Sequence, residues 1–443
     1  MLPPDDIPFD SAPETHAIIG CFNRESISQQ YANGVIEMSG RNSEIDPQET
    51  QQQVFTALDN LQIELPSWGF SNTGTRFGKF IQPAAATSVE EKYADAAQVH
   101  ALTGASPTIA LHVLWDLPNG KADIPELQQL GRTYGIRAGS INPNLFQDQE
   151  YKYGSIAHPS SDVRSSALVH ILDSVEIGRA LGSPDTTQDI SLWIADGSNY
   201  PGTQSIRKRI EWMAEVLKST HDALAPNQRM LVEYKPFEPA FYHTDIADWG
   251  MALELARHSG PKAKVLVDTG HHLQGTNIEQ IVAWLLYLNA LGGFHFNDRK
   301  YADDDLTLGS IDPYQVFRIF HEIFNVPESD RSGIAYMIDQ SHNLKGKIEA
   351  MVQSVVAAQE LYAKAALVDR TRLTELQQSC NLVEAEECLR TAFWTDVRPI
   401  LREWRTARNL PADPLHALRT SGYMEKITRS RAARNQSTAS TYA

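Results

Sequence analysis

The stretches KVLVDTGHH (Lys264–His272) and GGFHFNDRKYADDD (Gly292–Asp305) decide how this chain folds. Each opens with a short, mostly apolar run and closes on a turn carrying Asp and His. A strand with one wet face alternates apolar and polar residues, whereas a parallel strand covered on both faces is nearly continuously apolar, and its ligands gather where the strand ends. The two stretches therefore read as neighbouring strands of a β/α barrel with a metal site at its mouth. Asp and His also cap helices and fill turns, so the spacing along the rest of the chain has to carry the case.

Working outward, six more runs of the same kind appear: SWGF (Ser67–Phe70), TIALHVLW (Thr108–Trp115), YGIRAGSIN (Tyr134–Asn142), ISLWIAD (Ile190–Asp196), RMLVEYK (Arg229–Lys235) and IAYMID (Ile334–Asp339). The segments between them are long enough for one helix each. Ser166–Leu181, for example, places Leu168, Ile171, Val175 and Ile177 at helical spacing, and Ile206–Leu217 behaves similarly. Eight such units predict an α/β fold, a (β/α)8 TIM barrel over residues 66–345. A doubly wound open sheet would carry a GxGxxG loop after an early strand, and none follows any of these runs. Ahead of the barrel, residues 1–65 read as a Pro- and Asp-rich lead-in followed by a helix within Asn42–Leu61, stopped by Pro66. After Asp339 no strand signal recurs: Ile348–Leu367 and Thr371–Arg408, the latter interrupted at Pro399, predict an all-helical extension over 346–443, expected to contact other subunits.

Composition narrows the function. The formal charge of −16, from 39 Lys+Arg against 55 Asp+Glu, argues against a nucleic-acid partner, which needs a basic surface. Cys21, Cys380 and Cys388 form neither a disulfide framework nor a CxxC pair; they read as packed free thiols in a reducing compartment. The first residues, MLPPDDIPFD, lack a basic region and an apolar core, and no run approaches about 18 apolar residues, so a cytoplasmic protein outside the membrane is expected.

The strand ends carry the chemistry. They offer His112, Trp115 and Asp116 on the second run, Asn142 on the third, Trp193 and Asp196 on the fourth, and Glu233 with Lys235 on the fifth. Asp268 and His271 follow the sixth, His295, Asp298, Asp303 and Asp305 the seventh, and Asp339 with His342 the eighth. Residues i and i+2 of a strand face the same way, so Glu233 and Lys235 can both look into the mouth. Converging buried acids repel unless a cation lies between them. Five acids and two histidines from four consecutive strands therefore imply divalent metal, two ions, and a set rich in carboxylate favours Mn²⁺, Mg²⁺ or Co²⁺ over zinc. Asp303–Asp305 alone would read as a solvated acidic loop, and no Gly or bidentate Glu follows to make it an EF-hand.

These residues resemble the L-rhamnose isomerases, in their broad-specificity branch, within the xylose isomerase-like barrel superfamily. The resemblance runs from about Trp68 to Tyr423 and rests on TGTRFGKF (Thr73–Phe80), WIADGSNYPG (Trp193–Gly202), VEYKPFEPAFYHTD (Val232–Asp245), DTGHH, GFHFNDRKYADDDL, IDQSHN (Ile338–Asn343) and the closing TDVRPIL and SGY segments. It implies a first ion held by Glu233, Asp268, His295 and Asp339, and a second by His271, Asp303 and Asp305 with Asp268 bridging. It implies Lys235 beside the sugar's O1, His112 on sugar oxygens, Trp193 as an apolar wall, His271 near the substrate, Asp305 as a proton carrier, and Phe77 reaching a site in its own or a neighbouring subunit. The implied protein is a homotetramer that uses Mn²⁺, with Co²⁺ or Mg²⁺ as substitutes, to isomerise a monosaccharide. Sugar epimerisation at C3 by the same kind of barrel is the alternative. It uses one ion and two glutamates and has less need of Lys235 and the Asp303/Asp305 pair. His272 and His342 are left in supporting or structural roles, Asp116 and Asp196 as near the mouth by position only, and Asp298 and Asp304 as support or solvent-facing.

Overall fold

The computed structural model describes residues 47–72, 80–238, 242–342 and 344–435. The lead-in, Cys21 and the GTRF loop with Phe77 lie outside the described residues. The chain divides after Gln52; the described part of the first unit is the opening of helix α1 (Pro47–Asn60), and all that follows concerns residues 53–443.

Eight parallel strands succeed one another in sequence order: β1 (Leu65–Pro66), β2 (Thr108–His112), β3 (Arg137–Asn142), β4 (Gln188–Trp193), β5 (Gln228–Glu233), β6 (Ala263–Asp268), β7 (Leu291–Phe296) and β8 (Ala335–Ile338). Glu64 brings β1 against β8: its N–H donates to Tyr336 O at 2.8 Å, and Ile338 N donates to its carbonyl at 3.0 Å. Helices α2 (Val89–Thr103), α3 (Ile124–Tyr134), α4 (Ser161–Leu181), α5 (Ile206–Ala223), α6 (Trp249–Ser259), α7 (Ile278–Tyr287), α8 (Pro313–Phe324) and α9 (Lys347–Ala366) follow β1 to β8 in turn. This is the (β/α)8 barrel that the apolar runs predict.

The local chemistry explains the elements. β7 is buried at all six positions and β6 at five of six, as strands covered on both faces must be. The Gly-Gly of β7 is a packing requirement: a Cβ on Gly293 would meet Ala335 O at 2.7 Å, so only glycine lets β8 approach. Ser88, Ser205, Asp248, Asn277 and Asp312 each accept a backbone N–H three residues on, opening α2, α5, α6, α7 and α8.

The first strand needs correction. SWGF is not the first strand. Leu65–Pro66 pairs with β2, and Ser67–Phe70 turns into a fully buried 3₁₀ segment. A short buried apolar run satisfies either conformation, so periodicity could not separate them. The break expected at Pro399 is present just ahead of it: one helix ends at Trp394 and the next, Arg398–Ala407, opens with Pro399 in its first turn, where its missing N–H leaves no bond unmade.

The tail is all-helical as expected, with further helices at Arg370–Gln378, Leu382–Trp394, Pro414–Thr420 and Tyr423–Arg431. It is fastened to the barrel by polar anchors. Trp404 Nε1 donates to Asp59 at 3.0 Å, and Arg431 grips the buried Asp95 of α2 at 2.7 and 3.0 Å. Cys380 is exposed in a turn rather than packed, and Cys388 is half-buried. No helix among the described residues is long and apolar enough to cross a membrane.

Candidate metal centre

Strand register assembles the site. Asp268 is the register partner of His295, His295 of Met337, Trp193 of Glu233, and His112 of Asn142. The candidate side chains thus gather at or next to the C-terminal ends of β2 to β8. Glu233, Asp268 and His295 are each at most 2 % exposed.

Glu233 faces two imidazoles, with Oε1 3.1 Å from His271 Nδ1 and Oε2 3.3 Å from His295 Nδ1. His295 Nδ1 also lies 3.5 Å from Asp339 Oδ2 and 3.9 Å from Asp268 Oδ2. His271 Nε2 lies 3.4 Å from Asp303 Oδ2 and 3.8 Å from Asp268 Oδ2. The turn after β6 aims Asp268. Its Oδ1 accepts Gly270 N at 2.6 Å and Asn297 Nδ2 at 2.9 Å, and a Cβ on Gly270 would press Asn297 Oδ1 at 2.4 Å. Oδ2 of Asp268 and both ring nitrogens of His295 remain buried without a hydrogen bond. Buried polar atoms left this way are costly. Glu233, Asp268 and His271 form one group, and Asp268, His295 and Asp339 a second, with ligand atoms within 4.8 Å of one another. Asp268 belongs to both.

The electrostatics agree. Burial pushes the Asp268 carboxyl up to about 7, with Glu233, Asp303 and Asp339 adding to it against the opposing His271. Burial would raise Glu233 too, but His295 and His271 outweigh it and hold the carboxyl down at about 2. Burial lowers His271, yet Asp268 and Asp303 overcome it and drive the imidazole well above its ordinary range. In the absence of another cation the histidines must carry the compensating charge. A divalent ion replaces those protons, so the donor set fits one.

Asp303 and Asp305 line the same cavity, about 380 Å³ in volume, together with Lys235, His271 and Asp339. Asp305 holds a positive φ of 50°, unusual for a residue with a Cβ. Lys235 Nζ bonds Asp303 Oδ2 at 2.6 Å, approaches Glu238 at 3.6 Å and stands 5.2 Å from the centre of the Trp193 ring. His112 places Nδ1 3.0 Å from Val113 O, which makes that nitrogen the donor and leaves Nε2 as an acceptor. Burial pushes its imidazole down to about 4, so it is neutral at pH 7.

The supporting residues lie elsewhere. Asp298 accepts Ile311 N and Asp312 N, Asp304 accepts Lys300 N and Tyr301 N, and Asp196 accepts Ser155 N and Ala157 N. His272 meets the Tyr234 hydroxyl at 2.6 Å and His342 meets Gln340 at 3.0 Å. Sequence reasoning missed Trp68, whose Nε1 donates to Asp339 Oδ1 at 2.9 Å, because SWGF read as a strand. It also missed Phe146, whose ring centre lies 4.9 Å from that of Trp193 and which helps line the cavity. It stands on a loop with no periodic signal.

A larger cavity, about 630 Å³, opens at the opposite rim beside Glu64, Asp189 and Arg229. Its acids are satisfied, Asp189 by Arg229 and Glu64 by Ser140, so size does not mark the site here.

The model for the xylose isomerase-like TIM barrel matches residues 102–324. A probable sugar isomerase of Rhizobium meliloti is 38% identical over 417 residues, covering 93% of this chain and 94% of that protein. A second, from Mesorhizobium japonicum, is 38% identical over 383 residues, covering 85% of this chain and 87% of that protein. Among solved structures, an L-ribulose 3-epimerase superposes with a TM-score of 0.50 at 14% identity, covering 70% of this chain and 98% of its own, a likeness that shows the fold. Barrel and relatives agree that the chain belongs to the xylose isomerase-like TIM barrel family.

Proposed function

We propose that the protein is a metal-dependent aldose–ketose isomerase of the L-rhamnose isomerase type, interconverting L-rhamnose and L-rhamnulose and accepting further aldose/ketose pairs. Glu233, Asp268, His295 and Asp339 would hold one divalent ion, and His271, Asp303 and Asp305, with Asp268 shared, a second. Manganese suits this set, with Co²⁺ or Mg²⁺ as substitutes. When bound, such ions supply Lewis-acid polarisation of two neighbouring sugar oxygens. The homotetramer and the cytoplasmic setting belong to the same reading.

The observation that carries the proposal is the placement of Lys235. Its ammonium stands between Trp193, Glu238 and Asp303 in the cavity that the metal-ligating acids share. Isomerisation moves one hydrogen between C1 and C2 while a proton passes between O1 and O2, so negative charge develops on an oxygen that must be held still. Lys235 donates to O1 and stabilises that charge. Neutral His112 accepts a hydroxyl proton through Nε2. Trp193 packs the apolar face of the sugar, and Asp305 carries a proton between the oxygens. A hydride shift and a cis-enediol route both fit these positions, and running the reaction in D₂O separates them, since only the enediol incorporates solvent deuterium at carbon.

The test is product analysis by NMR with Mn²⁺-loaded protein on a panel of aldoses and of 2-ketoses. The expected product is the 2-ketose, L-rhamnulose from L-rhamnose. A ketose epimerised at C3, with no aldose–ketose exchange, overturns the isomerase reading.

A further inference from the structure

Asp116 is buried beside the site but belongs to neither the metal set nor the sugar contacts. Its side chain is fully enclosed and joins three separate elements. Oδ1 accepts Lys92 Nζ of α2 at 2.7 Å, and Oδ2 accepts both Ser67 Oγ of the 3₁₀ segment at 2.5 Å and His112 N at the end of β2 at 2.7 Å. Ser67 immediately precedes Trp68, the indole that holds Oδ1 of Asp339. His112 stacks on Trp115 with ring centres 3.7 Å apart, and Trp68 meets both rings edge-on at 6.0 and 6.5 Å. Trp68, His112, Trp115 and Asp339 all line the cavity.

We infer that Asp116 is a positioning residue that fixes one wall of the cavity and, through Ser67 and Trp68, the aim of a metal-ligating carboxylate. One carboxylate anchors both sides of the wall, through the Ser67 hydroxyl on one and the backbone N–H of His112 on the other. With Ser67 and His112 N tied to the same oxygen, the Trp68 indole is presented to Asp339 Oδ1, and Asp339 Oδ2 is left facing His295. A hydrogen bond that orients a metal-ligating carboxylate commonly contributes 10–100-fold to metal affinity. The Asp116–Lys92 ion pair is not needed for stability as such, because well-packed apolar replacements of buried pairs are often neutral or stabilising. Holding the wall, rather than supporting the fold, is what the geometry of the carboxylate explains.

The test measures Mn²⁺ affinity of the whole protein by calorimetry, alongside thermal unfolding, so it does not depend on which sugar is the substrate. Trp68→Phe sets the scale, with an expected loss of about tenfold. Ser67→Ala, which removes one hydrogen bond and little volume, is expected to weaken Mn²⁺ several-fold. Lys92→Met/Asp116→Leu, which deletes the pair without leaving a lone charge, is expected to approach the Trp68→Phe loss while the melting temperature stays within a few degrees of wild type. Unchanged Mn²⁺ affinity in folded Ser67→Ala and in the double variant overturns the inference. So does a loss of affinity that appears only where the melting temperature collapses. The kinetic arm rests on the isomerase reading: the same variants should raise KM for the aldose more than they lower kcat. Should the wild type isomerise no aldose, that reading fails while the metal arm still decides the role of Asp116.

Discussion

The two rims of the barrel both bury charge, but they treat it differently. At the N-terminal rim Arg229 forks onto Asp189, with its Nε 2.6 Å from Oδ1 and its Nη2 2.9 Å from Oδ2, and Ser140 supplies N–H and hydroxyl to Glu64. Acids there meet matching donors. At the C-terminal rim Glu233, Asp268 and Asp339 converge on two imidazoles, and the ring nitrogens of His295 complete no hydrogen bond. The larger cavity is at the matched rim and the candidate metal centre at the unmatched one. In this molecule the sign of a site is charge left uncompensated by the protein, not the volume of a cleft.

That contrast can be broken by substitution. The largest effect is expected for Glu233→Gln, which replaces a carboxylate proposed as a metal ligand at the unmatched rim: turnover should fall by roughly a thousandfold or more and metal retention should fall with it. Metal analysis with near-normal kcat would remove Glu233 from the ligand set. Next is Lys235→Met, expected to keep its full metal content yet lose about 10²–10³ in kcat; an unchanged rate returns Lys235 to a structural role. At the matched rim the readout should switch from activity to stability. Arg229→Met strands a mostly buried Asp189 and should cost about 2–4 kcal/mol, lowering the melting temperature by several degrees with kcat and KM held at a temperature where the protein is folded. A kinetic defect without a stability defect would contradict the division of roles.

The smallest effect is a pH dependence remote from both rims. His321 on α8 is buried, and burial depresses its imidazole from 6.5 to about 4. The folded state therefore binds this proton less readily than the unfolded chain. The associated stability is fully present above pH 6.5 and is lost progressively as pH falls towards 4, by about 1–3 kcal/mol. Chemical unfolding of His321→Gln against wild type between pH 7 and 4 should show a shallower acid slope, and parallel slopes would refute the assignment.

Much of this architecture is legible in the residues themselves. Most of the runs from β2 to β8 are apolar because both their faces are covered, β3 with its exposed Arg137 being the exception, so their positions and the residues at their ends can be read locally. Asp268, His271, His295 and Asp303 follow from two short stretches, and Glu233 and Asp339 from the strands on either side. What stays hidden is contact between distant segments. Trp68 reaches Asp339 across 271 residues of chain, and Asp116 ties Ser67 to Lys92. No local pattern encodes such pairings, and SWGF offered a buried apolar run with two possible conformations. Cys380 misled for the converse reason: thiols are usually packed, but this one lies in an exposed helix-to-helix turn at φ 54°.

The most direct test of the central claim is to strip the protein with a chelator, titrate Mn²⁺ back and follow ketose formation from L-rhamnose against bound metal. The account predicts two Mn²⁺ per chain and ketose formation that rises from zero as they bind. Bound Mn²⁺ with no isomerisation of L-rhamnose or any other aldose would contradict it.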